Sequence, residues 1–139
     1  MMAVRYPDKN IRNALISDAS ITQFVGHRVF NQYATPETPL PFIVTRRTAT
    51  EREQAFTVPV GVPRLTLNVV CYASTFEVAR ELADAVRRRL DGFGGYFDNT
   101  QVKQVAVEEE RDELVQLAGS EKPPAFAVEM DLDIWWQET

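Results

Sequence analysis

The chain has 139 residues, with 15 Lys and Arg against 20 Asp and Glu, a net charge of −5 and a single cysteine. That length suits one domain, which buries roughly two-thirds of its unfolded surface without cross-links, and one cysteine excludes an internal disulfide framework. The acidic balance speaks against a chain that grips nucleic acid through phosphate contacts, which takes clustered Lys and Arg, but leaves room for DNA to pass without adhering.

Taken in chain order, residues 8–25 read as helical, with Asp8 as a cap and Ile11, Leu15 and Ile16 as the apolar stripe. Asp18 to Ser20 break the pattern, Ser20 is placed to cap a second short turn, and Gly26 closes it. Val29 and Phe30 suggest a short strand. Three prolines within residues 36–41 mark a loop, and Phe42 to Thr48, rich in β-branched and aromatic residues, reads as the next strand.

Residues 49–63 are expected to form a projecting loop or arm on a single domain that spans 1–139. Phe56, Val58, Val60 and Val62 alternate there with Thr57, Pro59, Gly61 and Pro63. The period is that of a strand, yet prolines on one side remove ladder donors and bar the segment from a sheet interior. Such an apolar segment needs a cover, either its own domain or a neighbouring subunit or partner.

The stretch from Arg64 to Phe93 organises the rest. Leu65, Leu67, Val69 and Cys71 alternate with Thr66 and Asn68, which marks a strand with one buried face. The period then changes: Phe76, Ala79, Leu82, Ala83, Val86 and Leu90 fall on one stripe of a helix. Ser74 with Glu77 three residues on has the form of a capping box, and Gly92 can end the helix. Gly92, Gly94 and Gly95 read as a turn, Gln101 to Glu108 as a strand, Glu108 to Glu113 as a solvated strand end, and residues 119–124 as a loop. In the last strand Phe126, Val128, Met130, Leu132, Ile134 and Trp136 face one way, and Ala127, Glu129, Asp131, Asp133 and Trp135 the other. The order of elements predicts an α+β domain: a mostly antiparallel sheet of about four to five strands with two main helices packed on one face.

The chemical inventory is sparse. The sequence has no Gly-rich phosphate loop, no paired cysteines for zinc and no Gly-x-Ser-x-Gly elbow. His27, the only histidine, lacks an identifiable orienting carboxylate and nucleophile, so it reads as a surface or turn residue. Cys71, on the apolar face of a strand, reads as a buried small hydrophobe. Arg87, Arg88 and Arg89 sit where cations complement a helix C-terminus, with Asp84 able to pair with Arg88. Glu129, Asp131 and Asp133 lie on one strand face, but same-face neighbours are roughly 7 Å apart, too far for all three to chelate one ion. They read as a solvated sheet face or as a negative wall that repels passing phosphates. No catalytic, cofactor-binding or metal residue is expected. No apolar run approaches the ~20 residues of a membrane span, and Met1 to Asn10 lack the apolar core of a signal peptide.

Four stretches carry a family resemblance: Ala14-Leu15-Ile16 through Phe24-Val25-Gly26-His27-Arg28-Val29-Phe30; Leu40-Pro41-Phe42-Ile43-Val44; Leu65 to Ala73, continuing through Ala79 and Ala83 to Val86-Arg87-Arg88-Arg89-Leu90-Asp91-Gly92-Phe93; and Glu110-Arg111-Asp112 with the closing Asp131-Leu132-Asp133-Ile134-Trp135. In their order and spacing the chain resembles the tail-completion, or tail-terminator, proteins of long-tailed bacteriophages and related phage-like particles. The resemblance implies a virion protein, made in the host bacterial cytoplasm, whose subunits form a ring, commonly a hexamer. The ring caps the head-proximal end of the tail tube, ends tube polymerisation and meets the head–tail connector. Its implied partners are copies of itself, the tail tube protein and the connector, with DNA passing the channel unbound and no cofactor. On this footing Phe56, Val58, Val60 and Val62 become candidates for a subunit or tube contact, and Glu129, Asp131 and Asp133 for a channel-facing acidic wall. The alternatives are a head-closure or other neck protein, a small enzyme, and a monomeric binding module.

Overall fold

The computed structural model describes residues 7–32, 34–35, 38–51, 64–97, 100–115 and 124–137. The first helix, α1 (Pro7–Ile16), begins on a proline, whose missing N–H is no loss in a first turn. Asp8 is therefore not its cap but lies inside it, 2.7 Å from Arg47. Ile11, Ala14 and Leu15 are buried. The second helix, α2 (Ala19–Val25), is capped by Asp18 rather than Ser20: the Asp18 carboxylate accepts from the Ser20 amide at 2.9 Å and its hydroxyl at 2.6 Å. These two bonds hold the Asp18 carboxyl below the usual carboxylate range. Gly26, at φ 59°, closes the helix.

Strand β1 (Val29–Asn31) pairs in parallel with β2 (Phe42–Glu51). Strand β2 continues three residues past the expected end at Thr48, through a bulge between Arg47 and Ala49, so Ala49 to Glu51 belong to the sheet. Strand β3 (Arg64–Ala73) pairs antiparallel with β2 and leads into α3 (Phe76–Leu90). The cap of α3 is one residue later than the sequence pattern suggests. Thr75, in extended backbone, accepts from the Val78 amide through Oγ1 at 3.3 Å, the i-to-i+3 geometry of an N-cap. Gly92, at φ 78°, follows the helix and donates its amide to the Val105 carbonyl at 2.8 Å, which ties the helix end to the sheet.

Three further strands complete the sheet: β4 (Gly95–Phe97), read from sequence as part of a turn, β5 (Thr100–Val115) and β6 (Ala125–Gln137). The order across the sheet is β1-β2-β3-β6-β5-β4. Every pair except β1–β2 is antiparallel. The fold is thus α+β with a mostly antiparallel sheet, as expected. Its four long strands are those of the sequence reading, and the two edges are three-residue strands.

Register decides which residues meet. Leu65, Leu67, Val69 and Cys71 stand opposite Ile134, Leu132, Met130 and Val128. All eight are buried, beneath Ala79, Leu82, Ala83, Val86 and Leu90 of α3 and Ile11 and Leu15 of α1. The intervening residues, Thr66 and Asn68 on β3 and Glu129, Asp131 and Asp133 on β6, share the other face. At one end of that other face an aromatic chain covers the sheet. Phe42 lies 4.9 Å from Tyr72 and 6.3 Å from Phe30, ring centre to ring centre.

Candidate assembly surfaces

Three surfaces stand out, beside several lesser features. The first surface is the acidic row of β6. Glu129, Asp131 and Asp133 do lie on the face away from the helices, but they are not bare. Asn68, opposite Asp131 on β3, donates to Glu129 at 2.8 Å and to Asp131 at 3.0 Å. From β5, Arg111 reaches Asp131 at 3.0 Å, Glu129 at 3.4 Å and Glu109 at 3.0 Å. Asp133 accepts from the Thr66 hydroxyl at 3.2 Å and lies 3.9 Å from Arg64.

The reason for this wiring is desolvation. These β6 carboxylates are largely covered, with 16% to 28% of their side-chain surface exposed, and covered charge needs donors. The hydrogen bond from Arg111, reinforced by Asn68, holds the Asp131 carboxyl below its ordinary range, and the same carboxylate holds the Arg111 guanidinium firmly charged. The face still carries four carboxylates against two guanidiniums in this network. Arg111 was hidden in sequence among the charges of residues 108–113; only the pairing of Arg111 with Glu129 across β5–β6 reveals it. Among the described residues, no three His, Cys, Asp or Glu side chains are grouped to hold a metal ion.

The second surface is apolar and was not foreseen. Phe76 and Leu114 are 48% and 60% exposed, the two exposed large hydrophobics among the described residues. The sequence pattern places Phe76 on the buried stripe of α3. It is instead the first residue of that helix, half exposed and meeting Phe126 edge-to-face at 6.3 Å. With Leu114 of β5 and Val128 of β6 these rings line an open groove of about 230 Å³. Its rim is acidic but partly neutralised, since Arg80 binds Asp112 at 2.9 Å and Glu110 at 3.5 Å. Fully burying a Phe or Leu side chain is worth about 1.5–3 kcal/mol, so this groove leaves a sizeable driving force unused in the single subunit.

The third surface is the apolar row Phe56, Val58, Val60 and Val62, which lies outside the described residues. Its roots are described: Glu51 and Arg64 are paired at the far end of β2 and β3.

The lesser features are cationic and histidine sites. Arg89 is used inside the fold, donating to the Ala14 carbonyl at 3.0 Å and lying 5.3 Å over the Phe93 ring. Asp84 pairs with Arg80, at 3.7 Å, rather than with Arg88 as its spacing suggested, because Arg80 is already anchored toward β5. His27 is exposed at a turn, where its carbonyl accepts from Arg12. Cys71 is fully buried, which pushes its thiol far above the ordinary range.

Comparison with known proteins bears on these surfaces. No curated protein matches the sequence significantly. Among solved structures, one that matches is a chain from the "Virion of native gene transfer agent (GTA) particle". It is 17% identical, with 91% of each chain covered and a TM-score of 0.64, which is a likeness of fold. The profile of the family described as "Tail completion protein gp17" matches residues 9–118, from α1 through the end of β5. Family and fold together support a structural role in a phage tail or neck. The chain belongs to the tail completion protein gp17 family.

Proposed function

We propose that this chain is a tail terminator: a structural, non-enzymatic subunit that forms a ring, hexameric in the simplest case, on the head-proximal end of the tail tube. The ring ends tube polymerisation and offers its other side to the head–tail connector. The observation that carries this reading is the family match over residues 9–118, on a fold that recurs in a phage-like virion. The test is electron microscopy of particles made with the gene deleted. Overlong tubes detached from filled heads are expected. Tails of normal length that fail to join heads would transfer the role to head closure, and intact infectious particles would overturn it.

Within the ring we place the face of Glu129, Asp131 and Asp133 toward the DNA channel. Its carboxylates outnumber the arginines that bind them, so it retains the negative sign that keeps phosphates from adhering. Asp131→Lys with Asp133→Lys is expected to leave rings on the tube and to slow DNA ejection. Ejection at the parental rate from such particles would remove this face from the channel.

A further inference from the structure

We propose that the groove of Phe76, Leu114 and Phe126 receives the apolar row Phe56–Val62 of a neighbouring copy. This inference rests on the terminator reading and names the contact that would join its subunits. The first support is reach. Glu51 and Arg64, the described residues that flank residues 52–63, are paired side by side. The groove lies at the opposite end of β3, where Ala73, Phe126 and Leu114 share one register row. Ten extended residues put about 30 Å between Arg64 and Ala73. A chain extends by at most ~3.6 Å per residue. Val58, six residues from the nearer root, therefore extends no further than about 22 Å, Phe56 no further than about 18 Å, and Val60 about 14 Å. The row falls short of the groove on its own subunit and can fill it only on another.

The second support is chemical fit. Pro59 and Pro63 alternate in sequence with Phe56, Val58, Val60 and Val62, so an extended conformation would put the prolines on one side and the apolar row on the other. Such a segment is unfit for a sheet interior but suited to lie along an open strand edge. Strand β5 provides one: β4 pairs only with Thr100 to Val102, so Glu109 to Val115 have no described strand on their outer side. Leu114 sits on that edge, beside Phe76. An apolar row thus meets an apolar groove on an unpaired edge. Because donor and receiver are different surfaces at opposite ends of β3, each copy gives one contact and takes one. That is the head-to-tail interface from which closed rings are made.

The test is a disulfide trap in assembled particles. A gene carrying Val60→Cys and Leu114→Cys is expected to yield, on mild oxidation, a ladder of covalent multimers of this chain that reducing agent collapses. The native Cys71 is fully buried and outside the trap, and each single-cysteine variant is expected to give no ladder. Leu114→Asp, at a position 60% exposed, is expected to leave the circular dichroism spectrum unchanged and abolish incorporation into tails. Normal tails that yield only monomer bands would overturn the docking while leaving the terminator role intact. A ladder from particles whose gene-deleted counterparts are normal would uphold the docking and overturn the terminator role. Wild-type particles that lack the chain altogether would overturn both.

Discussion

Leu132 and Asp131 are neighbours on β6, yet they answer to different demands. Leu132 is fully buried against Leu67 beneath α3. Asp131 faces the other side, bonded to Asn68 and Arg111. The covered face is held by contacts that have no alternative partner in water, so it specifies the fold. The open face is held by charge and hydrogen bonds that water can replace, so it is free to specialise. The core that specifies the fold thus lies on one side of the sheet and its main charge network on the other.

The strongest way to challenge this division is Leu132→Ala. It should lower unfolding stability by about 2–5 kcal/mol through lost burial and a residual cavity, read as a shift of the urea midpoint. An effect below that of any open-face substitution would break the comparison. Arg111→Ala should cost less, because Arg111 sits on the exposed side of its network. Its effect should also depend on acidity. The carboxyl of Asp131 is held below its ordinary value when folded, so it adds stability above the unfolded value of about 3.9 and loses that addition as pH falls through the folded value. Without Arg111 that carboxyl moves back toward its ordinary range. Parent and variant should therefore differ at neutral pH and converge in acid below about pH 4. A gap that persists unchanged at pH 2 would mean that Arg111 acts by packing rather than by charge.

How much of this was legible in sequence follows the same division. The buried face announced itself through alternation in β3 and β6 and through the stripe of α3, because a period needs no knowledge of partners. What resisted reading depended on register or on a terminus. The role of Arg111 required its pairing opposite Glu129. The exposure of Phe76 required a helix that starts on it, since the same spacing one turn later places Ala79 in the core. The cap moved from Ser74 to Thr75 although only Ser74 has a glutamate three residues on, because either hydroxyl can cap a helix and backbone geometry chooses between them. Strand β4 was missed because two of the three glycines read as a turn stand on either side of its entrance and disguise three paired residues. The acidic row was placed on the correct face, yet its sign was overestimated for want of the arginines that cross to it.

The position of β6 in the sheet has a consequence for the timing of synthesis. It lies between β3 and β5 and joins the two parts of the sheet, yet it follows every other described element in the chain. At a translation rate of about 5–20 residues per second, β6 begins to emerge roughly 3–10 s after β3 is complete. Throughout that interval the edge of β3 that will receive β6 stands open on the ribosome. The sheet becomes continuous only when its central strand closes the gap, so a nascent chain carries unfinished edges before it carries a finished surface.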